Sequence, residues 1–180
     1  LILHTIHKFV DENLLIIGAT EELSDIDSEV FSPGRFDILI PVFPPNTDER
    51  AQMILRYLTL NLEKESILTK ILEYNKADKR PFWLNYASRM KLFSNTMVID
   101  FTQSVKKRLR SKYLRTKNPE FIIDRDILEL SFIESASKLT EEYLASIQQF
   151  IREVSAHDYD VFSSRIDRLK YELDHYRIEE

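Results

Sequence analysis

The chain has 180 residues, 43% of them apolar, with a formal charge of -5 and no cysteine. That length and apolar share support one buried core, or a small domain with an appended helical element. The composition excludes disulfides and thiolate metal sites and fits a reducing, cytoplasmic compartment; the net charge argues against a general nucleic-acid binder, and no apolar run reaches the length needed to span a bilayer.

His4 and His7 stand three apart near the start of the chain, but no third ligand accompanies them and no metal site is assigned. The run Leu14-Leu15-Ile16-Ile17, ending at Gly18, predicts a strand over 14–18 that is buried on both faces of a parallel sheet. Ile38-Leu39-Ile40-Pro41-Val42 predicts its partner over 38–42. The link between them starts Gly18-Ala19-Thr20-Glu21, passes an acidic turn containing Asp25, Asp27 and Glu29, and ends Ser32-Pro33-Gly34-Arg35-Phe36-Asp37. Ligands of open α/β sheets bind at the carboxyl ends of such strands.

After Pro44-Pro45, Thr47 is the expected N-cap of a helix running to about Leu62, with Asp48 and Glu49 in its first turn. Arg50, Met53, Ile54, Tyr57 and Leu58 lie on one stripe of it. Everything beyond reads as helix. Ile67, Leu68, Ile71 and Leu72 mark a short one, and Pro81 suits the first turn of the next, where Trp83 with Phe82 and Tyr86 forms a core anchor. Met97, Phe101, Val105 and Leu109 repeat every four residues behind Phe93-Ser94-Asn95, which predicts a long helix. Its C-terminal end carries the basic run from Lys106 to Lys117, read as a solvated helix end whose cations face the macrodipole. Thr140-Glu141-Glu142 opens an amphipathic helix through Val154. Finally, Phe162, Ile166, Leu169, Leu173 and Tyr176 form a seam with heptad spacing, read as a terminal helix folded onto its neighbours; two heptads are too few for a coiled coil.

The stretch from Gly18 to Asp37 resembles the second region of homology of AAA ATPases, part of the AAA+ superfamily. In that family a Gly-Ala-Thr-Asn strand end leads through an acidic turn to an Arg-Pro-Gly-Arg-Phe-Asp loop, and Gly18, Ala19, Thr20, Asp27, Pro33, Gly34, Arg35, Phe36 and Asp37 match it without a gap. The resemblance is specific over 14–45 and extends as pattern to about residue 154. It implies an α/β fragment with dominant helix: the last strands of a parallel core sheet within 1–62, an all-α lid over 63–154, and a C-terminal helical extension over 155–180. It also implies that residues 1–10 are the helix between an acidic strand and the sensor strand, that Ile122-Ile123-Asp124 is the apolar pair and acidic cap of a small lid helix, and that a phosphate loop and the acidic strand lie upstream of Leu1. No Gly-x-x-x-x-Gly-Lys motif occurs in these residues, whose only glycines are Gly18 and Gly34.

The function so implied is binding and hydrolysis of ATP with Mg2+ in a hexameric ring that remodels macromolecules, mostly proteins. Arg35 corresponds to an arginine finger acting in trans, Thr20 and Glu21 to the sensor position, and Asn95 and Thr96 to the start of the lid helix, which approaches the nucleotide. Two departures stand out. Glu21 replaces the sensor asparagine and Ser32 the first arginine of the loop. An ionised carboxylate beside a triphosphate is repelled, so the alternative is a degenerate subunit that keeps the fold as a scaffold and hydrolyses poorly or not at all.

Overall fold

The computed structural model describes residues 15–32, 34–60, 62 and 66–176, with the backbone alone at 157–159. The expected helix over 1–10, His4, His7, Leu14 and Pro33 lie outside the described residues.

Among the described residues the architecture is helical, and the expected strands are corrected: neither 15–18 nor 38–42 is paired into a sheet. Both are extended, and Leu15 (85%), Ile17 (82%), Ile38 (78%) and Ile40 (79%) are largely exposed. The physical reason is that a strand is a property of a pair. β-Branched, apolar composition favours extended backbone, but a ladder forms only where a neighbour supplies its donors and acceptors.

Six α-helices follow a short 3-10 turn at Ser28–Phe31: α1 (Thr47–Thr59), α2 (Ile67–Tyr74), α3 (Arg80–Arg89), α4 (Asn95–Thr116), α5 (Arg125–Ala136) and α6 (Glu141–His175). Their starts are written in polar side chains. Asn46, not Thr47, caps α1: it accepts from the Glu49 N–H at 2.9 Å while the Glu49 carboxylate accepts from the Asn46 N–H at 2.7 Å, a reciprocal box. Ser66, Ser94, Asp124 and Thr140 cap α2, α4, α5 and α6, each side chain accepting one backbone N–H of the first turn. Lys79 gives α3 no side-chain cap, and Pro81 in its first turn removes one N–H that would otherwise lack a partner.

One core joins α1 to α5. Trp83 is fully buried, donates from Nε1 to the Ala77 carbonyl at 2.8 Å and meets Phe101 edge-on. Met97, Val98, Phe101, Val105 and Leu109 form the inner stripe of α4, the periodicity expected of it. Three cations of the basic run turn back on the fold, Arg108 pairing with Glu134 at 3.1 Å, Lys112 with Asp124, and Lys106 being buried, while Lys107, Arg110, Arg115 and Lys117 are exposed as a solvated helix end. Across α3 and α5, Arg89 grips Glu129 with two bonds of 2.6 and 2.9 Å. Those bonds hold the Glu129 carboxyl below its ordinary value of 4.5. A depressed carboxylate contributes stability above its unfolded pKa and loses it as pH falls through the folded value. Glu129→Gln should therefore cost about 1 kcal/mol at neutral pH, the pair being partly exposed. In urea titrations the gap between variant and parent should close as pH falls below the ordinary carboxylate range; a gap unchanged with pH would contradict this.

A second core is built by α6, and it requires that helix to fold back on itself. Phe43 lies 5.2 Å from Phe150 and 5.8 Å from Phe162, ring centre to ring centre, although those two would stand about 18 Å apart on a straight helix. Likewise the Tyr143 hydroxyl donates to the Leu92 carbonyl at 2.8 Å while the Leu92 N–H donates to Glu172 at 2.8 Å. Straight, Tyr143 and Glu172 would be about 43 Å apart. α6 thus has two arms that close on Phe43 and Leu92, burying Ile147, Ile151 and Val154 from one arm and Ile166 and Leu169 from the other. The seam read from Phe162 to Tyr176 packs here. Burial pushes the Tyr143 phenol up to about 12, so it remains a neutral donor across the working pH range.

Glu172 also receives Arg50, a fully buried guanidinium of α1 that donates to the backbone carbonyls of Pro45, Ala87 and Met90 as well. This cluster ties the second arm of α6 to α1 and to the turn between α3 and α4.

Candidate functional site

Two regions contain the residues singled out in the sequence. The first is the loop from Gly18 to Asp37. Asp27 accepts from the Glu29 N–H at 3.0 Å and so caps the 3-10 turn. Ser32 closes that turn, its N–H bonded to the Glu29 carbonyl. Gly34 sits at φ +80°, in the left-handed region that a residue with a Cβ rarely adopts, and its N–H donates to the Asp37 carboxylate at 2.7 Å. The two ends of the loop meet: a Cβ at Gly18 would come within 3.2 Å of the Phe36 ring. Matched positions that look unrelated in the sequence therefore share one job, closing the loop.

Arg35 is presented by this closure. Its side chain is 20% exposed and folds onto its own loop, donating to the Glu29 carbonyl and lying 3.6 Å from the Glu29 carboxylate. Thr20 donates to the Glu22 carbonyl at 2.9 Å, and Glu21 is exposed beside it. The loop is anchored at one further point, where the Leu23 N–H donates to Glu153 on the first arm of α6 at 3.2 Å.

The second region is an open cleft of about 460 Å³ between residues 41–45, α1, the start of α4 and the second arm of α6. Its apolar surface comes from Pro41, Val42, Phe43, Pro45 and Met53. Arg56 and Arg165 bring positive charge, opposed by Glu49, and Asn95 and Gln52 bring amides that can both donate and accept. The size falls within the range of small-molecule sites, and the mix of apolar lining with a few polar groups is their usual chemistry.

Of the residues singled out, Asn95 lines this cleft, while Thr96, next to it, is exposed and does not. Arg35, Thr20 and Glu21 belong to the loop and are not brought into the cleft. Met53, Arg56 and Arg165 were not singled out as site residues. Met53 and Arg56 follow Glu49 and Gln52 along one side of α1, a spacing visible in the sequence, but Arg165 lies more than a hundred residues away and left no local signal. Among the described residues no group of three or more His, Asp or Glu side chains is placed to hold a metal ion, and no helix is long and apolar enough to cross a membrane.

Comparison with known proteins finds partial, distant relatives. The chain is 36% identical over 55 residues to an AAA ATPase forming ring-shaped complexes from Bifidobacterium longum subsp. infantis, covering 31% of this chain and 11% of that protein. It is 35% identical over 51 residues to a proteasome-associated ATPase of Kineococcus radiotolerans, covering 28% and 9%. It is 31% identical over 72 residues to an ATP-dependent zinc metalloprotease YME1 homolog of Schistosoma mansoni, covering 37% and 11%. The chain thus spans about a tenth of the length of the curated relatives it matches. No family model matches, and no solved structure matches.

Proposed function

We propose that this chain is the C-terminal part of an AAA ATPase module, in which Arg35 serves as an arginine finger for the nucleotide of a neighbouring subunit. The observation that carries the reading is the closed loop around Arg35: Gly34 at positive φ, Asp37 holding its N–H, and Phe36 against Gly18. The partial similarity to ring-forming AAA ATPases supports it.

In phosphoryl transfer the protein mainly positions the nucleotide and stabilises charge on the transferring group. ATP with Mg2+ would supply that chemistry in the assembled protein. The cleft beside Asn95 would hold the base, with Asn95 and Gln52 offering amides and Pro41, Val42, Phe43, Pro45 and Met53 offering apolar surface. Arg35 must leave Glu29 to act across a boundary, giving up an ion pair with a largely exposed carboxylate and a hydrogen bond to the Glu29 carbonyl, together about 2 kcal/mol. The loop is therefore preformed, and the finger is released at a modest cost.

A second reading, a non-hydrolysing scaffold subunit, is favoured by one feature: the exposed carboxylate of Glu21 at the sensor position. Glu21→Asn separates the two. An amide can donate a hydrogen bond to the attacking water or the phosphate, and a carboxylate opposes the charge developing there. On the hydrolysing reading, steady-state ATP turnover of the assembled protein is measurable and rises several-fold in Glu21→Asn. Absent turnover in both proteins supports the scaffold.

A further inference from the structure

We infer that Arg165, on the second arm of α6, is a phosphate-contacting residue for a nucleotide held in the cleft beside Asn95, so that the C-terminal hairpin completes the site. This rests on the base placement proposed above. The 155–180 stretch has no counterpart required by the resemblance, yet the fold brings its Arg165 to the same cleft as Asn95 and Met53.

Three observations converge on this residue. Its guanidinium carbon lies 5.7 Å from the Phe43 ring centre, so the ring face steers the fork along the cleft wall. Its ion pair with Glu49 is loose, at 3.7 Å, and its side chain is 53% exposed, which leaves guanidinium donors free to bind an incoming anion. The arm that carries it is fixed on both sides: Arg168 donates to the Pro44 carbonyl at 2.7 Å, and Glu172 accepts from Arg50 and Leu92. An exposed side chain on a pinned backbone is the arrangement that ligand capture needs. Among the described residues Arg56 is the other cation lining the cleft, so the positive charge there is divided between α1 and the hairpin.

The chemistry is that of a guanidinium fork on phosphate oxygens, which gives two parallel bonds where a lysine gives a single point charge. It would act on the phosphates and leave the base contacts alone. The test is titration of the whole chain with adenosine, ADP and ATP, followed by NMR shifts at Asn95 and the Met53 methyl, for the parent, Arg165→Ala and Arg165→Lys. Thermal melts confirm that each variant is folded. Arg165→Ala should weaken ADP and ATP about tenfold, the worth of one charge-assisted hydrogen bond, and leave adenosine unchanged. Arg165→Lys should fall between. Equal weakening of adenosine, or no weakening of ADP and ATP, overturns the assignment of Arg165 while the base placement stands. If the parent binds none of the three at Asn95 and Met53, the base placement itself fails, and this inference fails with it.

Discussion

Replacing Arg35 with alanine in the assembled protein is expected to lower ATP hydrolysis by a factor on the order of 10³ while leaving the fold and nucleotide affinity intact. The size follows from what a finger does. Charge spreads over the transferred phosphoryl in the transition state, and a guanidinium placed against it is preorganised and needs no solvent rearrangement. The absence of a folding effect follows from the structure: among the described residues Arg35 is bonded only to its own loop, through an ion pair with the largely exposed Glu29 side chain and a bond to the Glu29 carbonyl. Arg35→Lys should recover only part of the rate, since lysine keeps the charge and loses the planar fork. Steady-state turnover read beside nucleotide affinity and a thermal melt separates these effects. A variant that unfolds, or that turns over at the parental rate, would mean that Arg35 does no more than tie its own loop.

The largest effect on stability is expected at Glu172. Glu172→Ala leaves the Arg50 guanidinium fully buried with backbone carbonyls alone for partners, and strips the Leu92 N–H of its acceptor. Burial already pushes the Arg50 pKa down, and Glu172 is the leading group opposing that shift. Breaking a buried pair by removing one partner costs about 3–5 kcal/mol, a large part of the 5–15 kcal/mol that holds a typical domain together. Glu172→Gln keeps an acceptor for Leu92 and should lose less. Urea denaturation of the three proteins measures the order directly. A loss below about 1 kcal/mol for Glu172→Ala would show that α6 can leave Arg50 without penalty, against the buried-pair account.

The helices were largely legible because their signals are local. Ser66, Ser94, Asp124 and Thr140 precede apolar stripes of helical period, and each caps the helix that follows it. The expected cap at Thr47 missed by one residue, because Asn46 shares the same chemistry and Glu49 stands at the spacing that closes a box with it. The runs Leu15–Gly18 and Ile38–Val42 show the limit of local reading: their composition is that of strands, yet pairing depends on neighbours that composition does not contain. The fold-back of α6 was hidden for a related reason. Helical periodicity continues on both arms, and only contacts from Phe43 and Leu92 reveal that the arms converge.

The loop was legible in residue type and only partly in role. Gly34 and Asp27 announce a turn and a cap, and both perform those roles. That Gly18 is small because Phe36 lies against it becomes visible only in three dimensions. The cleft was hardly legible at all. Asn95 came from resemblance, whereas Arg165 reaches the cleft through the folding of α6, which no short motif encodes.

The central claim, that Arg35 acts on a neighbour's nucleotide, is tested most directly by mixing two inactive forms of the assembled protein. One carries Arg35→Ala and the other a disabled phosphate loop. If the finger works in trans, mixed rings contain boundaries that pair an intact arginine with an intact nucleotide site, and hydrolysis returns above either form alone. Mixed rings that stay as inactive as their components would contradict it.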